Sequence, residues 1–232
     1  MKRLAIIPAR GGSKRIPNKN TRLFCSKPMI AHILITAQQS DLFDVVHVST
    51  ESETTRDLVA QLGFQTDFMR PVDLAGDHTP IMPVLRFVVE EYAKRGMDFE
   101  EVWLLMACAA LIDVQDLRKA AELFNSVGAK TPVLAIAEYP VPVEWAFRLA
   151  QDGVLKALHK ELLAVRSQDL EKRYFDSGTF VVYPAKRIIE SEDVDSDGDY
   201  IGYVLPKYKA VDIDDEQDWQ LAEAIFRSGL NN

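Results

Sequence analysis

The sequence predicts an α/β fold in which a mostly parallel sheet is covered by helices on both faces. Short apolar runs alternate along the chain with segments of helical periodicity, and strands that alternate with helices build parallel sheets. The runs Val45–Val48 and Val102–Leu105 are almost continuously apolar, as burial on both faces of a sheet requires. The chain has 232 residues, 47% of them hydrophobic, which is enough for one domain with a substantial core.

Strands and helices alternate regularly in the first part of the chain. Short apolar runs between turn residues indicate strands, and apolar residues spaced three or four apart indicate helices. In chain order, the pattern predicts strand Arg3–Pro8, helix Pro28–Ser40, strand Val45–Ser49, helix Glu53–Leu62, strand Gln65–Phe68, helix Pro80–Lys94, strand Val102–Met106, helix Asp113–Phe124 and strand Pro132–Ala137.

The alternation breaks at about residues 139–183, which we interpret as an insertion within a single domain spanning residues 1–232. A strand at Thr179–Tyr183 ends the insertion. The pattern then resumes with a strand at Lys209–Ile213 and a closing helix at Glu216–Arg227. Between the strands at Thr179–Tyr183 and Lys209–Ile213, the acidic segment Glu190–Asp199 lacks the spacing of a calcium loop and is predicted to be solvated.

Charge is distributed unevenly along the chain. The formal net charge is −8, which disfavours nucleic acid as a partner. From Met1 to Ser40, however, there are eight Lys or Arg residues and no acidic residue. A local positive region in an otherwise negative protein suggests that a small anion binds at one place.

The segment Ile6–Asn20, IIPARGGSKRIPNKN, concentrates this charge directly after the first strand. Open α/β sheets bind ligands at the carboxyl ends of their strands, and glycines allow a backbone to approach an oxygen cluster closely. The spacing matches neither a Walker A loop nor a dinucleotide fingerprint. Two interpretations remain open: a solvated basic loop, or an anion cradle built from Arg10, Gly11, Gly12, Ser13, Lys14, Arg15, Lys19 and Asn20.

Several motifs resemble those of the acylneuraminate cytidylyltransferases. The resemblance is carried by IPARGGSKRIPNKN, by Val48-Ser49-Thr50 before Glu51, by Arg70-Pro71 with Leu74-Ala75 and Asp77, and by Asp212-Ile213-Asp214 with Asp218. The strings from Arg166 to Leu170 and from Tyr174 to Gly178 are most similar to the branch that acts on pseudaminic acid. The resemblance implies a Rossmann-like nucleotidyltransferase fold and the transfer of CMP from CTP to a nine-carbon acid sugar, with release of pyrophosphate.

The resemblance also implies roles for individual residues. Arg10 and Lys19 are expected to contact the triphosphate and to assist catalysis together with Asp212 and Asp214. The nucleotide is expected to contact Ala9, Arg10, Gly11, Gly12, Ser13, Lys14, Lys19, Asn20 and Arg70. The sugar is expected to contact Arg166, Gln168, Asp176 and Ser177, although Arg166 has a second interpretation as a surface ion pair with Asp169 or Glu171.

Asp212 and Asp214 are the expected ligands of Mg²⁺. Residues two apart on a strand project from the same face, and Mg²⁺ binds to one or two carboxylates together with phosphate oxygens. Asp214, Asp215 and Glu216 also have a structural interpretation, because acidic residues cap and stabilise the start of a helix. We assign Asp212 and Asp214 to the metal, and Asp215 and Glu216 to the cap.

One string departs from the family pattern. Where many relatives have a polar segment after the fourth strand, this chain has Met106–Ile112, which is apolar or small throughout. Three alternatives therefore stay open: transfer to pseudaminic acid, transfer to another acid sugar such as N-acetylneuraminic or legionaminic acid, and an inactive nucleotide or sugar-nucleotide binding protein on the same scaffold.

The remaining features concern location and assembly. No apolar run is long enough to span a bilayer, and the segment after Met1 does not resemble a signal peptide, so we expect a cytoplasmic protein without a membrane partner. Cys25 and Cys108 are expected to be reduced thiols. The family is commonly dimeric, and the apolar residues around Trp145 and Phe147 predict a homodimer interface in the insertion, unless they simply complete the core.

Overall fold

The computed structural model describes residues 1–191 and 199–230. The strands are β1 (Arg3–Pro8), β2 (Leu23–Phe24), β3 (Lys27–Pro28), β4 (Val45–Ser49), β5 (Glu101–Leu105), β6 (Val133–Glu138), β7 (Phe147–Leu149), β8 (Leu155–Ala157), β9 (Tyr174–Pro184) and β10 (Ile201–Val204). The helices are α1 (Met29–Ser40), α2 (Glu53–Gln61), α3 (Ile81–Lys94), α4 (Val114–Ser126), α5 (Ala185–Glu190) and α6 (Glu216–Ser228).

A six-stranded sheet of order β10-β6-β9-β5-β1-β4 forms the centre of the fold. Strand β1 runs parallel to its neighbours β4 and β5, and β10 runs parallel to β6. Strand β9 runs antiparallel to both β5 and β6. Helices α1, α2 and α4 contribute to the apolar cluster on one face, and α3 and α5 to the cluster on the other. The predicted α/β fold, with a mostly parallel sheet covered on both faces, is confirmed.

Local sequence explains where two helices of the site region begin. Asp113 precedes α4 and Asp215 precedes α6, and each side chain accepts hydrogen bonds from the second and third residues of its helix. In each case an aspartate at the third position, Asp116 or Asp218, accepts from the backbone of the cap in return. These reciprocal capping boxes satisfy amide groups that a helix start otherwise leaves unpaired. The predicted capping role of Asp215 is therefore confirmed.

Two predicted strands are wrong. Residues 65–68 form no strand; Phe68 packs against β4 through its ring, which stacks on His47 with a centroid distance of 4.4 Å. Residues 209–213 are also irregular, because the buried Lys209 pairs with Asp113 and Asp116 of α4. The strand in this part of the chain is β10, where a Cβ atom on Gly202 would lie 2.4 Å from Ile136 Cδ1 of β6. A larger residue at this position would force the Ile136 side chain to move.

The segment outside the main sheet is shorter than predicted. Because β9 begins at Tyr174, this segment spans residues 139–173 rather than 139–183, and it contains the antiparallel pair β7 and β8. Most of its residues are at least partly exposed. The acidic segment that we predicted to be solvated falls mainly on residues 192–198, outside the described residues. In the described part of the chain, no helix is long and apolar enough to cross a membrane.

His47 on β4 makes the fold sensitive to acid. The imidazole is 1% exposed and Nδ1 lies 3.1 Å from the Tyr92 hydroxyl, which also donates to Asp67. Burial lowers the pKa of His47 to about 4, and the nearby Asp67 offsets only part of that effect. Because the unfolded chain binds the proton near pH 6.5, stability is lost as the pH falls from 6.5 towards 4.

We therefore expect His47 to lower the free energy of unfolding by about 2 kcal/mol between pH 7 and pH 5. Urea unfolding of His47→Gln at the two pH values should show a correspondingly smaller change. His159→Gln is the matched control, because it removes an exposed histidine from the insertion. An equal loss of stability in wild type and both variants would contradict the assignment.

Candidate functional site

A cavity of about 380 Å³ opens where β1 and β5 end. The loop after β1 and the segment before α6 both line it, so Arg10 and Lys19 share a cavity with Asp212 and Asp214. These two parts of the sequence are almost 200 residues apart, and they meet directly where Lys19 Nζ donates to the Ile213 carbonyl. Ser13, Lys14, Arg15, Asn20 and Arg70 also line the cavity.

Arg10 and Lys14 share a carboxylate at one side of the cavity. Arg10 Nη1 pairs with Asp77 Oδ1, and Lys14 Nζ pairs with Asp77 Oδ2. Asp77 follows a short 3₁₀ turn, Val72–Leu74, in the connection to α3. The hydrogen bonds from Lys14 and Arg10 hold the pKa of Asp77 below its usual value, so Asp77 is ionised at neutral pH. The Asp77 carboxylate thus partly neutralises the positive charge of Arg10 and Lys14.

Lys19 and Arg15 connect the basic loop to the acidic segment. Lys19 Nζ donates to the Ile213 carbonyl at 2.6 Å and lies 3.8 Å from Asp214 Oδ1. Arg15 Nη1 lies 2.5 Å from Asp214 Oδ2. The Lys19 side chain is only 19% exposed, so this cation is held at the wall of the cavity. Opposite charges therefore face each other across a short distance.

Asp212 has a different environment from Asp214. Among residues 1–191 and 199–230, no cation lies within ion-pair distance of its carboxylate. Asp212 is exposed as a whole residue, but partial desolvation of its carboxylate, and next the charge of Asp214, raise its pKa, against the opposing influence of Lys19 and Arg15. Gly178 of β9 makes room for it, because a Cβ atom there would lie 3.5 Å from the Asp212 carboxyl carbon. Asp212 is a carboxylate whose negative charge is incompletely compensated by the protein.

Arg70 forms a buried part of the wall. Its guanidinium donates to Glu51 Oε2 at 2.7 Å, and the Gly11 amide donates to the other oxygen, Oε1, at 2.7 Å. Burial raises the pKa of Glu51, but the hydrogen bonds from Arg70 and Gly11 outweigh this effect and lower it overall. Arg70 Nε is buried without a hydrogen-bond partner in the described part of the chain. Glu51 thus fixes both the start of the basic loop and Arg70.

Comparisons with known proteins identify the family. The sequence pattern of a family described as cytidylyltransferase matches residues 4–127. The chain belongs to the cytidylyltransferase family. Similar proteins include the pseudaminic acid cytidylyltransferase of Campylobacter jejuni, with 32% identity over 98% of this chain and 97% of the relative. Another is the CMP-N,N'-diacetyllegionaminic acid synthase of Legionella pneumophila, with 30% identity over 97% of each.

A solved structure confirms the nucleotidyltransferase fold. The structure of a CMP:2-keto-3-deoxy-manno-octonic acid synthetase complexed with CTP superposes with a TM-score of 0.70 at 17% sequence identity, covering 99% of this chain and all of the other. At that identity the likeness concerns the fold alone. Together with the family, it confirms the Rossmann-like nucleotidyltransferase architecture that the sequence resemblance implies. The protein is a nucleotidyltransferase that uses CTP.

Three of the expected nucleotide contacts, Ala9, Gly11 and Gly12, do not line the cavity. Ala9 is buried, and its amide donates to the Ser49 carbonyl at 2.9 Å. Gly11 and Gly12 lie outside the cavity wall, and the Gly11 amide already binds Glu51. Gly11 is required for a different reason than expected, because a Cβ atom there would lie 2.9 Å from Ser52 Cβ. The cradle consists mainly of side chains rather than backbone amides.

The four predicted sugar contacts do not line the cavity either. Arg166 forms the alternative surface ion pair, with Nε 2.8 Å from Asp169 Oδ2, and Gln168 is exposed beside it on the short turn Ser167–Asp169. Asp176 Oδ1 accepts a hydrogen bond from the Gly178 amide. Ser177 is 1% exposed and donates to the Ala135 carbonyl at 2.7 Å. The geometry contradicts a sugar contact by Ser177, because its hydroxyl is buried in the sheet.

An apolar surface faces the charged residues of the cavity. Met106, Ala107 and Cys108, from the start of the apolar string, line the cavity after β5. Leu74, Ile81 and Val84 extend this surface from the turn before α3 and from α3 itself. The rest of the string is buried: Ala110 and Leu111 join a cluster with Trp219 of α6, and Ala109 and Ile112 join the cluster that includes α1 and α4. Its apolar character therefore serves both packing and the lining of the site.

Sequence reasoning missed Asp77 and Glu51 as members of the site. Both lie in motifs that support the family resemblance, but the pairs Arg10 with Asp77 and Gly11 with Glu51 are separated by 67 and 40 residues. Spacing along the chain carries no signal for contacts of this kind. Cys25 and Cys108 are free thiols, as predicted. In the described ranges, no group of three or more His, Cys, Asp or Glu side chains could hold a metal without help from a ligand.

Proposed function

We propose that the protein transfers CMP from CTP to the anomeric hydroxyl of a nonulosonic acid, with pseudaminic acid as the preferred sugar. The observation that carries this proposal is the shared cavity in which the basic loop faces Asp212 and Asp214. Its volume of about 380 Å³ falls in the range of small-molecule sites. Relatives at about 30% identity are named for CMP transfer to such sugars.

The basic loop is suited to stabilise the leaving pyrophosphate. Phosphoryl and nucleotidyl transfer require in-line positioning and neutralisation of developing charge more than covalent participation of side chains. Arg10 and Lys19 present cations to the cavity, with Ser13, Lys14 and Asn20 beside them. Arg70 presents a buried guanidinium with one unpaired N–H group, which can donate to the nucleotide. We assign these residues to CTP.

Asp212 and Asp214 are the proposed ligands of Mg²⁺. The two carboxylates line the cavity, and the raised pKa of Asp212 shows that burial and the nearby Asp214 disfavour its negative charge. A hard divalent cation would relieve this repulsion, and oxygen ligands are those that Mg²⁺ prefers. Bound there together with CTP, Mg²⁺ would supply charge neutralisation at the phosphate oxygens. Arg15 and Lys19 would remain to orient Asp214.

The apolar surface favours a sugar with few hydroxyl groups on one side. Met106, Ala107, Ile81 and Val84 offer no hydrogen-bond partners through their side chains, so a hydroxyl buried against them would lose its hydrogen bonds to water. A methyl substituent makes no hydrogen bonds to water, so it avoids this cost. We therefore keep pseudaminic acid, the sugar in the name of the Campylobacter jejuni relative, ahead of N-acetylneuraminic acid.

The proposal includes a homodimer and a cytoplasmic location. The segment 139–173 exposes a group of apolar side chains, and a large apolar area is costly to leave in water. The exposed fractions of these residues are 59% for Val141, 48% for Phe147, 68% for Leu149, 59% for Leu155 and 59% for Leu158. A second copy of the chain is the proposed partner of this surface. A monomeric mass by light scattering at micromolar concentration would contradict the dimer.

The activity is tested by pyrophosphate release from CTP and Mg²⁺ with a panel of 2-keto acid sugars. We expect release that depends on the sugar and is fastest with pseudaminic acid. Faster release with N-acetylneuraminic or legionaminic acid would reassign the sugar and keep the reaction. Tight CTP binding without release for any sugar would instead favour the inactive nucleotide-binding protein.

A further inference from the structure

Asp77 lies in the cavity wall between two cations that we assign to the triphosphate. Its two carboxylate oxygens pair separately with Arg10 and Lys14, and all three side chains line the cavity. The Asp77 side chain is 29% exposed, the Arg10 side chain 37% and the Lys14 side chain 80%. The pairs therefore lie at the open side of the cavity, within reach of an entering ligand.

A carboxylate in this position competes with a phosphate group. Carboxylate and phosphate oxygens accept the same charge-assisted hydrogen bonds from Arg and Lys. A polyphosphate bound to Arg10 and Lys14 would also bring negative charge next to Asp77, which is ionised at neutral pH. Like charges at such distances repel, so Asp77 and a phosphate chain cannot both keep these contacts at full strength.

The position of Asp77 in the fold allows it to withdraw. It lies in the exposed segment Gly76–His78, which follows the 3₁₀ turn and precedes α3. The backbone bond from the Thr79 amide to the Gly76 carbonyl closes a short local turn around Asp77. A rearrangement of this turn would leave the central sheet and α3 in place.

We propose that Asp77 exchanges with the phosphate chain of the nucleotide on Arg10 and Lys14, and that its return promotes release of pyrophosphate. This inference rests on the proposed function, because it assumes that these cations bind the triphosphate. Asp77 holds both cations at the empty cavity and yields only to a ligand with several negative charges. It thereby determines selectivity for polyphosphates over monophosphates and weakens retention of the product.

Asp77→Asn is the direct test, with magnesium pyrophosphate and CMP as the probes. The lost ion pairs are solvent-exposed and individually weak, so we expect the Kd for pyrophosphate to fall roughly three- to tenfold. The Kd for CMP should change less, because CMP has a single phosphate. Product inhibition by pyrophosphate during turnover should increase by a similar factor.

Two further variants separate the charge from other effects of the substitution. Asp77→Glu keeps the carboxylate and should bind pyrophosphate close to the wild-type level. Asp73→Asn is the matched control, because Asp73 is exposed on the adjacent 3₁₀ turn and should leave pyrophosphate binding unchanged. Unchanged or weaker pyrophosphate binding by Asp77→Asn, or equal tightening of CMP and pyrophosphate, would overturn the inference.

Failure of this inference can be distinguished from failure of the proposed function. If Arg10→Ala weakens pyrophosphate binding while Asp77→Asn does not strengthen it, the cations bind phosphate but Asp77 does not compete, so only the inference fails. If wild type binds neither CTP nor pyrophosphate, both fail. Tighter binding by Asp77→Asn together with weaker binding by Arg10→Ala would support both.

Discussion

Arg10→Ala is expected to lower kcat/KM for CTP on the order of 10²-fold, the effect of removing one well-placed donor from a site that stabilises developing negative charge. The structure places the guanidinium at the cavity and pairs it with Asp77. Its removal leaves the Asp77 carboxylate with Lys14 as its remaining ion-pair partner in the described part of the chain. The variant therefore loses a cation and also increases the negative potential at the place where we propose that the phosphate binds.

Steady-state kinetics of four variants would measure this effect. Lys19→Ala should lose a similar factor, because its ammonium group is held at the cavity wall by the Ile213 carbonyl. Arg10→Lys should lose less than Arg10→Ala, since it keeps the charge but not the planar fork of donors. Lys27→Ala is the control, since Lys27 belongs to the exposed end of β3. Wild-type turnover by Arg10→Ala would contradict the assignment.

Sequence periodicity was sufficient to predict those strands and helices that pack regularly in the main sheet or on its faces. Strand β5 is shifted by one residue at each end from its predicted bounds, and helix α3 begins one residue later than predicted. Burial on both faces of a sheet or along one face of a helix imposes a clear pattern on the sequence. The pattern does not encode strand direction. Thr179–Tyr183 was predicted as a strand, but its antiparallel position in the middle of the sheet follows from tertiary pairing.

The two wrong strands fail for a shared physical reason, which is that side-chain interactions with distant residues outweigh local alternation. Residues 209–213 were predicted as a strand, yet the Lys209 ammonium is bound by Asp116 at 2.7 Å within α4. Ile213 is buried in the cluster beneath α6. Phe68 likewise takes its place from its stacking on His47. None of these contacts is visible within a short window of sequence.

The charged residues of the candidate site could be predicted from the sequence, but the ion pairs that they form with one another could not. An unbalanced group of cations indicated an anion site, and the Asp212 and Asp214 pair indicated a cation, and both lie in one cavity. The sequence did not show that Asp77 would pair with Arg10, because this contact depends on how the loop before α3 folds back. Motif resemblance assigned Ser177 to the sugar, whereas its position in β9 directs the hydroxyl to Ala135.

Asp212→Asn is expected to lower kcat on the order of 10³-fold, while the melting temperature stays equal or rises. The loss follows because an amide oxygen replaces a carboxylate at the proposed Mg²⁺ site, and metal-ion catalysis depends on charge stabilisation worth several kcal/mol. The opposite effect on stability follows from the sign of the pKa shift. Burial and Asp214 raise the pKa of Asp212 in the folded protein, so its ionised form disfavours folding at neutral pH. Asparagine removes that charge.

Turnover, a Mg²⁺ titration and thermal unfolding should be measured on the same preparation. Glu216→Gln is the matched control, because it makes the same carboxylate-to-amide change on the same segment, where Glu216 pairs with the exposed Arg22 outside the cavity. It should keep its turnover and its Mg²⁺ requirement. A decrease in stability that accounts for the lost activity of Asp212→Asn would show that Asp212 acts as a structural residue. Lost activity at unchanged or higher stability would show instead that the Asp212 carboxylate is needed for activity although its charge disfavours folding.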